Sequence, residues 1–504
     1  MPWSIWKAGY EPFEKAGQDS VFLATPKGNI LWTCDPAIVK QLFTSHSFQL
    51  PVDLLKFYDI WGPTIGSVEG QEWKTHRKVV AYGFSSTPLP VVWQRTIHQT
   101  KTLVERWARD DYLVKSPRIW MSRVALHVIA GVFFNTEMNW KDTEEGGSDS
   151  QDKEYQSSLP NSILTIMLRL GVLFMTPTWL LGRLPFKATR ETSQAFNDFT
   201  NYMLSIRSRV LENLDEVSSK RNKTMLESIV VAGNMDPTDP ESKPLSKESV
   251  LGNIFFTMMA GHETVGNTLG FAILLLAIYP EIQTKVQQEL DDVIGSRPKE
   301  TWSLETDYTA LQKGFLGAVI NETLRLYHPV QFVPRTSIAE TTLYDSAGKS
   351  HVVPPNTLFC VNYAAAFSNP ATWTKVSVTA DRRAELQHSR AIDFDPQRWL
   401  KPAETSDVPI HWPFGQGGRI CPGKPMAQVE MIGVLTTLLK EYSIELVIPD
   451  QVLKETQGDR GKAWDHARDN AVRQLQESVE ANLTIAMLKD LPIRLQRRSG
   501  GDHD

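Results

Sequence analysis

The sequence predicts a mainly α-helical protein with small β-sheets, an α+β chain in which helices dominate. Three observations carry that expectation. After Ser249 runs "VLGNIFFTMMAGHETVGNTLGFAILLLAIYP", about thirty residues without a proline until Pro280 and apolar around most of the circumference. Further helical patterns follow in "PEIQTKVQQELDDVIG", "YTALQKGFLGAVINETLRLY" and "KPMAQVEMIGVLTTLLKEYS". Strand-like alternation is confined to short stretches near the two ends and to a proline-rich region, Pro329 to Trp412. With 41% apolar and 22% charged residues in 504, the composition is that of a folded globular chain able to bury a large core.

Taken in order, the first residues hold no apolar run near the roughly 20 that a membrane helix needs and no signal-peptide core, so no N-terminal anchor is expected in the chain as given. "DSVFLATPKGNILWTC" is β-like through Val21–Leu23 and Ile30–Trp32, with a Pro-Lys-Gly turn between them. Two polar, turn-rich stretches, Asp142 to Ser158 and Gly233 to Ser249, read as exposed loops. The apolar segment Ile163 to Gly182 is interrupted by Arg169 and Pro177. A charge at the bilayer centre is costly, so a buried or surface-dipping helix pair is expected there instead of a span. The central helix should extend roughly 45 Å at its rise of 1.5 Å per residue and run through the interior. The C-terminal "SVEANLTIAMLKDLPIRLQRR" has strand character.

Charge and cysteine usage exclude some functions. A net charge of −5 supplies no basic footprint for phosphates, so nucleic acid is not an expected partner. Cys34, Cys360 and Cys421 are odd in number and far apart, which argues against a disulfide framework and for a reducing compartment.

"PFGQGGRICPGKP" then stands out, one cysteine among four glycines just before a helix. A thiolate beside a helix N-terminus and an arginine is stabilised by both, which keeps it deprotonated and able to bind metal, and the glycines let backbone approach a large flat ligand. Phenylalanine, glycine, arginine, cysteine and glycine at these offsets would coincide in roughly one chain of this composition in tens of thousands. The segment resembles the haem-binding loop of the cytochrome P450 superfamily, Phe-x-x-Gly-x-Arg-x-Cys-x-Gly. Phe414, Gly417, Arg419, Cys421 and Gly423 fill every fixed position. In that family the cysteine is the proximal iron ligand, which assigns Cys421 the metal.

Other stretches extend the resemblance. Glu322 and Arg325 in "NETLRLYHP" lie three apart on one helical face, and "FDPQRW" resembles the family's Phe-x-Pro-Glu-Arg-Phe, with Gln397 and Trp399 as departures. The resemblance implies a structural triad of Glu322, Arg325 and Arg398. His262 and Glu263 in "AGHETVGNT" raise a zinc-peptidase reading, which fails because Gly266 occupies the second histidine position. The segment instead resembles the family's Ala/Gly-Gly-x-Asp/Glu-Thr motif, which implies a proton relay through Glu263 and Thr264 at a locally opened helix, with Val265 where a second hydroxyl is common. Trp73 and Arg77 in "EWKTHRKVV" resemble a Trp-x-x-x-Arg that meets haem propionates. Arg335 and Arg419 match the other propionate positions. Lys74, Lys78 and Lys424 could add a positive patch for an acidic electron donor.

The resemblance implies the cytochrome P450 fold, a helix-rich triangular prism with haem between the central helix and the cysteine-loop helix. A single catalytic domain over residues 1–504 is expected, β-rich to about 70, helical to about 330 and haem-binding beyond. It further implies a eukaryotic, fungal microsomal type of monooxygenase. Haem b and O2 would serve it, with electrons from NADPH through an NADPH-cytochrome reductase. It would be a monomer at the cytosolic face of the endoplasmic reticulum membrane, or cytoplasmic without the anchor, with peripheral membrane contact. The substrate is expected to be lipophilic, because the family's contact regions are apolar here, "VQFV" at Val330–Val333 and "LTIAM" at Leu483–Met487 among them. A haem-thiolate isomerase, dehydratase or peroxygenase, and a non-catalytic haem protein, are the alternatives.

Overall fold

The N-terminal hairpin forms where the alternation puts it. In a computed structural model that describes residues 6–25, 28–86, 89–135, 138, 140, 158–220, 223–234, 244–373, 393–400, 411–481, 484–487 and 489–498, strands β1 (Ser20–Thr25) and β2 (Gly28–Thr33) pair antiparallel. They join β3 (Phe48–Gln49), β4 (Phe332–Ser337) and β5 (Leu358–Asn362) in a five-stranded sheet of order β1-β2-β5-β4-β3. β2 meets β5 in parallel, Ile30 against Leu358 and Thr33 against Val361, and β4 meets β5 antiparallel with Arg335 opposite Phe359. A C-terminal hairpin of β6 (Val479–Ala481) and β7 (Ile485–Met487) confirms the strand character read there.

Helices dominate, as expected. Those that bear on function are α1 (Pro36–Thr44), α2 (Gly70–Ser86), α3 (Pro117–Phe134), α4 (Leu159–Leu168), α5 (Lys187–Glu212), α6 (Met225–Asn234), α7 (Lys247–Ile278), α8 (Phe315–Leu326) and α9 (Lys424–Leu439). The first shows why its residues start a helix: Asp35 caps it, its carboxylate accepting from the Ile38 amide at 2.9 Å, and Pro36 at the first position has no N–H to leave unsatisfied. α7 is 32 residues long, and 78% of its apolar stretch is buried, so its apolarity is that of a core helix.

Contacts group the chain into two compact units, Met1–Gln49, Thr96–Val124 and Glu263–Asp504 forming one, Leu50–Arg95 and Ala125–His262 the other. In the first, the sheet and α1 bury Leu42, Phe43, Phe359, Val361, Phe367 and Trp373 in a core against which Trp399 and Trp412 pack. In the second, Trp61 packs against Phe196, Phe199 and Phe255.

Two expectations are corrected. The single helix read over "YTALQKGFLGAVINETLRLY" is two, Thr309–Lys313 and α8, broken at Gly314. The Glu289 carboxylate, from the helix Pro280–Ile294, accepts from the Phe315 and Leu316 amides at 2.6 and 2.8 Å and so caps α8. The helix pair expected over Ile163–Gly182 is three short helices, α4, Leu170–Met175 and Thr178–Leu181, divided at Arg169 and Pro177. Ile163 and Ile166 are buried there, whereas Leu168, Met175 and Trp179 are exposed at 70%, 87% and 67%. Of the two expected surface loops, residues 142–157 and 235–243 lie outside the described residues, while the ends of the second are helical instead: Gly233 is buried in α6, and Lys247–Ser249 open α7.

Candidate functional site

The cysteine loop is closed by its own backbone. The Cys421 amide donates to the Phe414 carbonyl at 2.8 Å, Gly415 to Trp412 at 2.9 Å and Ile420 to Gly417 at 3.2 Å. α9 then begins at Lys424 with Gly423 as its N-cap residue, so the thiol sits just ahead of the positive end of a 16-residue helix. Gly417 adopts φ +69°, and a Cβ there would lie 2.4 Å from the Phe43 carbonyl oxygen at the end of α1. The same Phe43 presents its ring to Arg335 of β4, whose guanidinium stands 4.7 Å over it while Nη1 donates to the Pro334 carbonyl at 3.0 Å. Loop and arginine are therefore built on one support. Arg419 ends the short 3₁₀ turn Gly417–Arg419 and is half-buried, and Lys424 lies 5.8 Å from the Phe414 ring.

Sequence reasoning passed over His328, which follows α8 directly. One ring nitrogen, Nε2, lies 2.9 Å from the Pro413 carbonyl and the other faces the Val330 carbonyl, so this buried imidazole ties the end of α8 to the start of the loop. A lone histidine before a proline gave no signal of that.

Glu322 and Arg325 are fully buried, and Arg398 nearly so. Glu322 accepts from Arg325 Nε and Nη2 at 2.8 and 2.7 Å, from Arg398 Nε at 3.0 Å and from the Asp395 amide at 3.0 Å. Burial pushes its pKa up, but the charge of and hydrogen bonds from Arg325, and then Arg398, prevail and hold it below the ordinary carboxylate range. Arg325 also donates to the Phe367 carbonyl at 2.8 Å and stacks 5.0 Å over Trp373. The departure at Trp399 adds to this network: its indole N–H donates to Glu322 Oε2 at 3.0 Å, a bond phenylalanine cannot make. Trp399→Phe is expected to cost ~1.5–3 kcal/mol in denaturant unfolding, the range of a hydrogen bond to a charged group; an unmoved midpoint would deny the bond any net worth.

On α7, Glu263 and Thr264 occupy a continuous helix, not the local opening expected of them. The Thr268 hydroxyl donates to the Thr264 carbonyl at 2.8 Å, a bond back along the helix that leaves its winding intact. Glu263 Oε1 accepts from the Thr484 hydroxyl at 2.9 Å, and Thr484 accepts from Asn267 Nδ2 at 2.9 Å. Burial raises the Glu263 pKa; the Thr484 bond and the field of Arg118 oppose it. Trp73 and Arg77 belong to the second unit, one turn apart on α2. There the buried His76 Nδ1 lies 2.9 Å from Asn253 Nδ2 of α7, which anchors the helix carrying them.

The chain matches the family model described as Cytochrome P450 over residues 29–461. It is 27% identical over 470 residues to cytochrome P450 monooxygenase 124 of Postia placenta, an alignment covering 90% of this chain and 83% of that one. It is 25% identical to the phomenoic acid biosynthesis cluster cytochrome P450 monooxygenase of Leptosphaeria maculans, covering 93% and 86%. A zebra fish cytochrome P450 crystallised with progesterone superposes with a TM-score of 0.66 at 16% identity, covering 99% of this chain and all of the other. A matched model over most of its length and a shared fold mean that the chain belongs to the cytochrome P450 family, a family of oxidoreductases.

The family implies haem, and the residues fit it. Cys34 and Cys360 are buried, and burial pushes both thiols up, Cys360 to about 12, whereas Cys421 is exposed ahead of a helix. Only a cysteine so placed offers a thiolate to iron. The glycine loop leaves no side chain at Gly415, Gly417 or Gly418 to obstruct a flat ligand, and Arg335 supplies a buried cation for a carboxylate.

Proposed function

We propose that this chain is a haem-thiolate monooxygenase that inserts one oxygen atom of O2 into a lipophilic small molecule, by hydroxylation or epoxidation. The observation that carries it is the exposed Cys421 at the N-terminal end of α9, in a loop that matches the family pattern at every fixed position. Bound haem b would supply the activation of O2, with two electrons from NADPH through a reductase, and the second oxygen atom leaves as water. Cys421 holds the iron; Phe414, Gly417 and Gly423 shape the loop; Trp73, Arg77, Arg335 and Arg419 hold the propionates. Glu263 offers a carboxyl whose pKa burial raises, and Thr264 passes the proton on. Glu322, Arg325 and Arg398 are structural. We take residues 1–504 as one catalytic domain.

The naming of the Leptosphaeria relative for a biosynthesis cluster supports a role in fungal secondary metabolism. Exposed Leu168, Met175, Trp179 and Phe186 support peripheral contact of a monomer with the endoplasmic reticulum membrane.

The test is the absorption spectrum of the reduced protein with carbon monoxide. A Soret band at the thiolate position, abolished in Cys421→Ser with loss of at least a hundredfold in NADPH-driven turnover, is expected. An imidazole-type band in fresh protein would overturn the assignment.

A further inference from the structure

The Glu263 carboxyl is held by a one-way chain of hydrogen bonds. A threonine hydroxyl has a single proton to give. Asn267 Nδ2 donates to Thr484 Oγ1, which occupies the acceptor side of the hydroxyl and turns its proton toward Glu263 Oε1. The other carboxyl oxygen, Oε2, is buried without a hydrogen-bond partner among the described residues. Thr484 cannot easily withdraw. It lies in the turn between β6 and β7, where it is 7% exposed, and the next residue, Ile485, donates its amide to the Pro329 carbonyl at 3.1 Å, which pins the hairpin beside the end of α8.

We propose that Thr484, oriented by Asn267, is a positioning residue for proton delivery. It fixes which oxygen of Glu263 accepts and leaves Oε2 as the oxygen that carries the transferable proton. An oxygen that already accepts a hydrogen bond is the less basic of the two, so the proton resides on the other. The inference rests on the reading of Glu263 as a proton donor. The charge acting on the carboxyl among the described residues comes from Arg118, in the first turn of α3. Its charge and the Thr484 bond act in one direction, favouring the carboxylate, while burial acts in the other. Thr484 therefore opposes the acid form that burial favours.

The experiment uses the full-length, haem-loaded protein without substrate. The carboxylic acid carbonyl band of Glu263, identified by its loss in Glu263→Gln, is titrated by infrared difference spectroscopy. Thr484→Val is expected to raise its proton affinity about tenfold, a shift of about one pKa unit upward, and Thr484→Ser to restore it. Asn267→Ala should shift it in the same direction by less, and it decides the matter if Thr484→Val fails to load haem. In parallel, with reductase, NADPH and O2, the hydrogen peroxide released per NADPH should rise several-fold in Thr484→Val. A wild-type titration in both Thr484→Val and Asn267→Ala, with the Glu263 band intact, overturns the proposal. An unchanged peroxide yield in Glu263→Gln instead overturns the reading of Glu263 itself, whatever the titration shows.

Discussion

Glu322→Gln is expected to lose about 3–5 kcal/mol of stability, the cost of removing one partner from a buried ion pair, against a total of about 5–15 kcal/mol for a folded domain. The charge disappears while two buried guanidinium groups, Arg325 and Arg398, remain beside it. They cannot retreat to water, because Arg325 is stacked on Trp373 and bonded to the Phe367 carbonyl. Chemical denaturation of the haem-loaded protein, or soluble yield if none folds, measures the loss; a midpoint within about 0.5 kcal/mol of wild type would mean that the carboxylate is dispensable. The same group sets an acid limb. Its folded pKa is depressed, so its stabilisation is complete above the unfolded value, about 4.3, and is lost as the pH falls below that toward the folded value. Glu322→Gln should flatten the stability curve in that window and nowhere else.

Gly417→Ala is expected to empty most of the protein of haem while leaving the triad and its core folded. A Cβ at this position would sit 2.4 Å from the Phe43 carbonyl oxygen, a backbone atom at the end of α1 that cannot swing aside. The left-handed backbone adds about 1–2 kcal/mol for any residue with a Cβ. Together these force the loop off its support and move Cys421 with it. Gly415→Ala is the control: its φ of +71° carries the same backbone cost, but among the described residues a Cβ there would meet nothing nearer than the Arg419 carbonyl at 3.7 Å. The haem-to-protein ratio should fall at least tenfold for Gly417→Ala and less than twofold for Gly415→Ala. Full haem occupancy in Gly417→Ala would show that the loop tolerates displacement.

The features legible in the sequence were those whose chemistry is local. The cysteine loop declares itself because five residue types must fall at fixed offsets within ten residues. The triad was legible through Arg398 even though Gln397 and Trp399 depart from the pattern, but the use of Trp399 as a donor was not, since it depends on where the indole meets Glu322 in space. Thr484 and Asn267 were missed for the same reason: a hydroxyl more than two hundred residues from its carboxylate carries no spacing. The break at Gly314 was hidden by a capping carboxylate, Glu289, that belongs to a different helix. A glycine within an apolar, helix-periodic run gives no sign of such a partner.

One consequence concerns the order of synthesis. β2 finds its parallel neighbour in β5, Thr33 opposite Val361, and the apolar cluster of Phe13 and Cys34 is completed by Ala365. On the ribosome, at about 5–20 residues per second, the first hairpin must wait roughly 16 to 65 s before Leu358 emerges. During that time β2 offers a bare edge with Leu31 and Trp32 beside it. β2 is thus synthesised well ahead of the strand that covers its edge, and until then its unpaired N–H and C=O groups are open to pairing with another chain.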